Sequence, residues 1–499
     1  MILEEKLKIF YEYLKKIKLY NHALGLISFD LETIAPENGK EEESELISYF
    51  GNEAFKIENS EEYKKLLCGL YKEKDSLSYL DKVLVEKKYR NYLKIKNITP
   101  EFDMKMSKIY LKSQLNWLKA KENKDFSIFA SSLKEVIDIQ KAAINLRENK
   151  LPNMYDNMLD DSETGARVEY LDKFFSELKV GLLDLLDKIK KSKHVIRKDF
   201  LNRRVPIYKQ EEFSKYLLEL NGFDFKKGAL STTEHPFTSN IAENDARVTT
   251  HYYQDMVLSN IYSIIHEGGH AIFMQNEPSE DYEHFINDYI TNGMHESVSR
   301  FYENVIGRSR EYVHLIYPKF IEIFDEFKDI SEEELYESIN IVEPSLIRTE
   351  ADEVTYGLHI IIRYELEKML CDGSLAIEDA PKKWADLYEE YLGVRPSNDS
   401  EGILQDVHWS TGLGYFPSYA IGNAYNAMYV KKAKEDFDFK KALICGDFEK
   451  IRFWMKENVF KNANRLDPDE WIKEITGESL TPKDFLEYLN KKYSDIYKF

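Results

Sequence analysis

Apolar residues recur three and four positions apart along most of the chain, a spacing that places them on one face of an α-helix. Residues 4–29 and 170–191 show this pattern most clearly. Strand-like composition is rare, and the best candidate is residues 246–253, where three β-branched residues are followed by two tyrosines. The pattern predicts a mainly α-helical fold with one small β-sheet.

Interruptions of the helical pattern are local. Clusters of Pro, Gly, Asn and acidic residues predict loops near residues 35–43, 97–103 and 151–161. The length of 499 residues would allow about three domains, but its 21 Gly and 13 Pro are spread throughout and no linker composition separates two bodies. We therefore expect one large domain over residues 1–499, with lobes at most.

Charge and cysteine content exclude several classes of function. The formal net charge of −20 argues against nucleic acid as a partner, because a phosphate-binding surface requires a basic face. The first 20 residues lack the apolar core of a signal peptide, and no apolar run of about 18 residues predicts a membrane span. The 3 cysteines are far apart in sequence, so a disulfide framework is not expected and the cytoplasm is the predicted location.

The segment "SIIHEGGHAIF", residues 263–273, carries the chemistry that stands out. In a helix, His266 and His270 project from nearly the same face and can offer two imidazole nitrogens to one ion. Glu267 is turned about 100° away, which suits a general base acting on a water molecule better than a ligand. Gly268 and Gly269 each cost about 1 kcal/mol in a helix, which predicts close approach of another backbone or of a substrate.

A catalytic zinc site needs a third protein ligand and one open position. Residues 292–305 form a second helical stretch that offers His295 and Glu296. Chemistry alone allows either residue to be the ligand. The predicted ion is Zn²⁺, for which Co²⁺ can substitute, and the set of two nitrogens and one oxygen does not by itself choose between these two metals.

Several further motifs, together with the histidine pair, resemble those of the carboxypeptidase Taq family of zinc metallocarboxypeptidases. The matching segments run nearly from end to end: "SFDLETIAPENG" (28–39, with Phe29 where tryptophan is usual), "HPFT" (235–238), "DARVT" (245–249), "HEGGH" (266–270), "HES" (295–297, followed by Val298 where Gly or Gln is common), "IRTEAD" (347–352), "GILQDVHW" (402–409) and "GYFPSYAIGN" (414–423).

This resemblance implies a helical metallopeptidase body with a deep groove between two lobes and a small sheet beside the metal helix. It also implies a homodimer that releases single C-terminal amino acids from peptides. By the same resemblance, Glu296 rather than His295 completes the metal site with His266 and His270. Glu267 is then the general base that serves the attacking water and the leaving amine.

Recognition of a C-terminal carboxylate calls for a guanidinium, which binds a carboxylate with two parallel hydrogen bonds. Arg348 of "IRTEAD" is the predicted clamp, and a structural pairing with Glu350 or Asp352 is the alternative. The developing oxyanion needs a second donor, for which the predicted candidates are Tyr419, Tyr415 and His408. We also expect His235 and Arg247 to shape the cleft, with Asp245 holding Arg247 or forming a plain ion pair with it.

Two other functions remain open from the sequence. An oligopeptidase that cuts short peptides internally would share the metal site but would not need Arg348 as a clamp. A non-catalytic helical peptide-binding protein would not be expected to keep His266, Glu267, His270 and Glu296 together. The predicted partners are therefore peptides with a free C-terminal carboxylate.

Overall fold

The structure is a computed structural model that describes residues 2–499. In the described part of its first third, helices are the only regular secondary structure, and loops join them. The long helices predicted over residues 4–29 and 170–191 are present as α1 and α8. The helices before the sheet are α1 (Leu3–Thr33), α2 (Lys40–Glu58), α3 (Glu61–Lys72), α4 (Tyr79–Ile95), α5 (Pro100–Asn123), α6 (Ser127–Asn145), α7 (Met154–Ser162), α8 (Val168–Lys191) and α9 (Ile207–Asn221).

The sheet has three strands in the order β1-β3-β2, with β1 parallel and β2 antiparallel to β3. Its strands are β1 (Gly228–Thr232), β2 (Thr238–Ala242) and β3 (Asp245–Thr250). The strand predicted over residues 246–253 is confirmed as β3, but it ends at Thr250. The sheet packs on the helix that follows it, through β3 and β2.

The remaining helices form the other walls of the body. They are α10 (Val257–Asn276), α11 (Ser279–Glu283), α12 (Asn292–Arg300), α13 (Arg310–Ile323), α14 (Glu332–Ser338), α15 (Thr355–Asp372), α16 (Ala380–Leu392), α17 (Pro417–Asp436), α18 (Phe439–Ile444), α19 (Phe448–Met455), α20 (Pro468–Thr476) and α21 (Lys483–Tyr497). Two π-helical segments, Phe301–Gly307 and Lys456–Phe460, continue α12 and α19.

The loop predicted over residues 151–161 is wrong, because α7 occupies most of it. Asn153 is the reason: its side chain accepts hydrogen bonds from the N–H groups of Tyr155 at 2.9 Å and Asp156 at 3.3 Å, which starts the helix. The predicted loop near residues 35–43 is likewise shortened, since α2 begins at Lys40, and the one near 97–103 ends where α5 begins at Pro100.

Two separate groups of buried apolar side chains stabilise the fold. The large one joins the helices from α5 onwards with the sheet, and the small one joins α1, α3 and α4 through residues such as Leu14 and Leu84. Ile286, from the segment between α11 and α12, also lies in the small group. That segment therefore ties the N-terminal helices to the centre of the molecule. Within residues 2–499, each helix is too short or too polar to serve as a membrane span.

Candidate active site

Helix α10 is the central element of the site. Its buried face includes Ile264 and Ile265, while His266 and His270 are only partly buried. The imidazole centroids of the two histidines lie 5.0 Å apart, as expected for positions one helical turn apart. The sequence thus places both rings on one face by helical periodicity alone.

Helix α12 packs against α10 and brings Glu296 to the two histidines. Oε2 of Glu296 lies 3.7 Å from Nε2 of His266 and 3.5 Å from Nε2 of His270. Two ligands of a tetrahedral zinc ion, each bound at about 2.1 Å, are about 3.3–3.4 Å apart. The three donor atoms, all within 4.8 Å of one another, therefore fit a divalent metal ion.

The electrostatics agree with a metal site. Burial acts to raise the pKa of Glu296, but the two imidazoles and Arg300 outweigh it and hold the pKa well below its ordinary value. Glu296 is therefore ionised near neutral pH, and its negative charge faces the two imidazoles. Its second oxygen, Oε1, accepts a hydrogen bond of 2.8 Å from Nε of Arg300, which fixes the orientation of the carboxylate.

The two glycines of α10 each face a neighbouring helix. A Cβ on Gly269 would lie 2.9 Å from the Cα of Ser299 in α12, and a Cβ on Gly268 would lie 2.7 Å from a methyl group of Leu218 in α9. Close backbone approach is therefore the reason for Gly269 in particular. It brings α12 near enough for Glu296 to reach both histidines.

His295 lies beside the donor cluster and not in it. Its ring stacks on that of His270 with centroids 4.4 Å apart and planes 16° apart, and it meets Phe273 edge-on at 5.2 Å. Burial, reinforced by His270, lowers the pKa of His295 well below its ordinary value. A neutral imidazole in this position supports the ring of His270 by stacking.

Glu303 belongs to the site but was missed by the sequence reasoning. Its Oε2 accepts hydrogen bonds from Nδ1 of His266 at 2.9 Å and from Nη1 of Arg300 at 3.0 Å. Burial acts to raise the pKa of Glu303, but Arg300 and His266 outweigh it and hold the pKa far below its ordinary value. The signal was present: Glu296, Arg300 and Glu303 follow the i, i+4, i+7 spacing of one helix face.

Glu303 lies in the π-helical segment Phe301–Gly307, which continues α12 without a break. Such wider turns are rare and are often found at functional sites. Here the segment also contacts α10. Its position brings a second carboxylate from the same polypeptide stretch to the metal helix.

A cavity of about 530 Å³ opens above the donor cluster. Its wall contains six of the predicted site residues: His266, Glu267, His270, Glu296, Tyr415 and Tyr419. His408 lies behind Tyr419, with its Nε2 3.2 Å from the Tyr419 hydroxyl. Burial lowers the pKa of His408 to about 4, so this imidazole is neutral near pH 7.

Arg348 is buried, with an exposed fraction of 6%, and is already paired. Its Nε donates to Oδ1 of Asp406 at 2.9 Å, and its Nη1 donates to the Tyr356 hydroxyl at 3.2 Å. Its guanidinium also lies over the Tyr419 ring, 4.9 Å from the centroid. The sequence offered Glu350 or Asp352 as the partner of a purely structural Arg348. In the structure its partner is Asp406.

Asp406 itself is shared between two arginines. Its Oδ2 accepts from Nε of Arg363, a fully buried side chain, at 2.8 Å. Burial acts to raise the pKa of Asp406, but Arg363 and Arg348 outweigh it and hold the pKa far below its ordinary value. One carboxylate between two guanidinium groups leaves a net positive charge beside Tyr419.

The two residues expected to shape the cleft are not among those that line the cavity. Arg247 forms a two-fold hydrogen-bonded pair with Asp245, with both N–O distances 2.8 Å, and lies over the ring of Phe29. His235 is exposed on the segment before β2. Neither residue contacts the donor cluster, so their roles in shaping the cleft stay predictions.

The site combines two imidazoles and a carboxylate at a cavity of about 530 Å³, in a mainly helical body. This is the arrangement of a metallopeptidase. Within that class, the chain belongs to the carboxypeptidase Taq (M32) metallopeptidase family, whose model matches residues 9–493. The resemblance noted from its motifs is therefore confirmed, as is the mainly helical fold with one small sheet.

Named carboxypeptidases are among the proteins that the chain resembles along nearly its whole length. The chain is 40% identical over 494 residues to carboxypeptidase 1 of Bacillus subtilis (strain 168), a match that covers 98% of each chain. It is 33% identical over 486 residues to thermostable carboxypeptidase 1 of Pyrococcus furiosus, covering 96% of each. The crystal structure of the M32 carboxypeptidase from Deinococcus radiodurans R1 matches with a TM-score of 0.95 at 30% identity, over 99% of this chain and 100% of that one.

The protein is accordingly a metallocarboxypeptidase that acts on peptides, as the sequence predicted. The two alternatives, an internal oligopeptidase and a non-catalytic peptide-binding protein, are not favoured. The family also implies a divalent metal ion.

Proposed function

We propose that the protein is a zinc carboxypeptidase in which His266, His270 and Glu296 hold the ion. The observation that carries this proposal is the convergence of Glu296 Oε2 on the two Nε2 atoms, at 3.7 and 3.5 Å. Two imidazoles and one carboxylate are a common ligand set of catalytic zinc and leave one position open. Co²⁺ suits the same set and would support activity.

Glu267 is the proposed general base. It lies one position beyond His266 on α10 and lines the cavity, so its carboxylate can reach a water molecule beside the donor cluster. A zinc ion held by His266, His270 and Glu296 would supply the Lewis acidity that lets a water molecule react near neutrality. Glu267 accepts the proton of the water as a general base and then passes it to the leaving amine as a general acid.

Tyr419 is the proposed donor to the developing oxyanion, with Tyr415 as the second candidate. Both line the cavity, and burial raises the pKa of Tyr419 well above its ordinary value, so the hydroxyl keeps its proton. His408 orients that hydroxyl across 3.2 Å. A neutral His408 can accept a hydrogen bond from the Tyr419 hydroxyl in the resting enzyme, and the same hydroxyl can donate to the substrate oxygen as charge builds there.

Arg348 is the proposed clamp for the substrate's C-terminal carboxylate. One support is that the Arg348 guanidinium lies over the Tyr419 ring. The other is that Arg348 and Arg363 share the single negative charge of Asp406, which leaves one positive charge unbalanced within this group. The surplus positive charge attracts an anion to this end of the cavity. The carboxylate would then set the scissile bond opposite Glu267 and Glu296.

We further propose a homodimer, a single two-lobed domain over residues 1–499, and a cytoplasmic location. Support for the location is that Cys68, Cys371 and Cys445 are all free thiols. Support for the dimer is an apolar stripe on the exposed face of α5, which runs at heptad spacing through Met104, Leu111, Leu115 and Leu118. Beside the Met104 end of the stripe lie Lys105, Lys108 and Lys112 together with Glu101, Glu135 and Asp138.

The dimer is tested by light scattering after size-exclusion chromatography. Leu111→Glu together with Leu115→Glu should convert a dimer to a monomer, because two charges would face an apolar partner surface. The control is Leu46→Glu, an exposed leucine of α2 away from the stripe. A dimer that survives the double substitution would place the interface elsewhere.

The metal and the base are tested together. Glu267→Gln and the wild type should each bind one zinc per chain, while kcat of the variant falls by more than the roughly 10²–10⁴-fold of a simple proton-transfer aid, because both proton transfers lose their carrier. Chelation should abolish wild-type activity, and zinc or cobalt should restore it. A Gln variant with near-normal turnover would remove Glu267 from the mechanism.

The clamp is tested with one peptide in acid and amide forms. Arg348→Ala should lower kcat/KM on the acid by about 30–5,000-fold, corresponding to about 2–5 kcal/mol, and should hardly change the slow rate on the amide. Arg348→Lys should restore only part of the loss, since a point charge does not copy a planar fork. An equal proportional loss on both forms would show that Arg348 acts structurally through Asp406.

A further inference from the structure

Thr238, the first residue of β2, touches the proposed general base. Its hydroxyl oxygen lies 2.7 Å from Oε2 of Glu267 and 2.9 Å from the main-chain oxygen of the same residue. Thr238 also lines the cavity. A side chain from the sheet therefore reaches across to a single residue of α10 at two points.

The strand holds Thr238 firmly at this place. The hydroxyl of Thr249, on β3, donates to the carbonyl of Phe237 at 2.9 Å and accepts from the N–H of Phe237 at 2.8 Å. The N–H of Thr249 donates to the same carbonyl at 2.9 Å. Because Thr249 is fully buried and bonds both the N–H and the carbonyl of Phe237, the residue directly before Thr238 is held in place through both of its peptide groups.

A glutamate side chain on a partly open helix face has three rotatable bonds, and its allowed rotamers carry the carboxylate to several different positions. A single donor at 2.7 Å selects the conformers that keep the carboxylate beside the strand. For proton transfer, the base must lie within hydrogen-bonding reach of the water, and displacements of about 1 Å can cost about 10²-fold in rate. Thr238 supplies the contact that limits such displacement.

We propose that Thr238 is a positioning residue for the peptidase reaction, which holds the carboxylate of Glu267 at the metal side of the cavity. This inference rests on the proposed role of Glu267 as general base. The proposal also accounts for the contact between the segments "HPFT" and "DARVT". Thr249 of the second segment fixes the start of β2, and Thr238 of the first segment contacts Glu267 on α10.

The double contact suits a base that gains and loses a proton in each turnover. A hydroxyl has one proton, so Thr238 donates either to the carboxylate or to the main-chain oxygen of Glu267. While Glu267 is ionised, donation to Oε2 satisfies it. Once Glu267 has taken the proton, the hydroxyl can turn to the main-chain oxygen and accept from the carboxylic acid, so neither state leaves a polar group unpaired.

The test compares Thr238→Val with Thr238→Ser. Valine keeps the β-branched shape on the strand and removes the hydroxyl, and serine keeps the hydroxyl. Thr238→Val should lower kcat about 10–100-fold, with KM changed less than about 3-fold and zinc content unchanged. Thr238→Ser should stay within about 3-fold of the wild type. Thr232→Val, on an exposed position of β1, is the matched control and should have wild-type kcat.

A double-mutant cycle separates this inference from the proposed base. In a Glu267→Gln background, Thr238→Val should change the residual rate less than about 3-fold, because Thr238 has no base left to position. The same loss in both backgrounds, or a Thr238→Val enzyme within about 2-fold of wild-type kcat, would overturn the role of Thr238. Near-normal turnover of Glu267→Gln alone would instead overturn the base. Thermal melting of each variant identifies any loss due to unfolding.

Discussion

His266 and Glu303 are joined by a hydrogen bond of 2.9 Å between Nδ1 and Oε2, although they lie 37 positions apart and on different helices. The bond directs the other imidazole nitrogen, Nε2, towards Glu296 Oε2. In metal sites, a ligating histidine usually donates its second ring N–H to a carboxylate, which fixes the tautomer and makes the ligand more basic. Glu303 has the position and the charge for that function.

Removing this carboxylate should weaken metal binding without removing a ligand. Glu303→Gln keeps the shape but loses the negative charge that faces His266 and Arg300, so the Kd for zinc should rise about 10–100-fold. A competition titration against a chelator measures it. Glu322→Gln, at a largely exposed position of α13, is the control. An unchanged Kd for Glu303→Gln would mean that the bond to His266 does not support the ligand.

The third ligand can be distinguished from its neighbour by two alanine variants. Glu296→Ala should lose zinc readily, because it removes the anionic oxygen that faces both imidazoles. His295→Ala should keep most of its zinc, since that ring only stacks on His270 at 4.4 Å. The measurement is the zinc content per chain after dialysis, determined by atomic emission. Loss of metal from His295→Ala and retention by Glu296→Ala would reverse the assignment.

The two glycines of α10 should respond differently to alanine. A Cβ at Gly269 meets the Cα of Ser299 at 2.9 Å and would push α12 away, so Gly269→Ala should lose about 1–2 kcal/mol of unfolding free energy and bind zinc more weakly. At Gly268 the Cβ meets only a methyl of Leu218, which can move, and alanine gains about 1 kcal/mol of helix propensity. Gly268→Ala should therefore be nearly neutral.

Denaturant unfolding with and without zinc measures both glycine variants. The decisive quantity is the difference between them, since each adds one methyl group to the same helix. Equal stability and equal zinc affinity for the two variants would contradict the claim that Gly269 sets the distance between α10 and α12.

Glu367 should make stability depend on pH. It is fully buried, and burial raises its pKa to about 7 from an ordinary 4.5, although Tyr155, Trp409 and the N–H of Gly414 all donate to it. Because the folded-state pKa is the higher one, its contribution to stability is complete below about pH 4.5 and is lost as the pH rises through about 7. The loss should be on the order of 1–3 kcal/mol.

The measurement is Tm against pH from 5 to 9 for the wild type and Glu367→Gln. The Gln variant starts lower, because its NH₂ group faces the indole N–H of Trp409, but its Tm should fall less between pH 5 and 8. Glu378→Gln, at an exposed position, should follow the wild-type curve. Parallel curves for the wild type and Glu367→Gln would show that Glu367 does not titrate in this range.

The helical fold class and the direction of the two histidines were predictable from the sequence, because both depend on local periodicity. Four positions along a helix always return to the same face, so His266 and His270 share a side wherever α10 lies. The wrong loop over residues 151–161 shows the limit of composition: Asn153 and its neighbours are turn-like residues that here begin a helix by capping it.

Contacts between segments that are distant in the sequence were decided only by the tertiary structure. Glu303 reaches His266, Thr238 reaches Glu267, and Arg348 pairs with Asp406 across 58 positions, because buried faces pack against one another and bring those backbones together. Spacing along one helix specifies relative direction over a few turns, but it carries no information about which other helix will face it. Which helices pack together depends on the shape of the whole core. Gly269 contributes to that shape, because the absence of a side chain lets α12 approach α10.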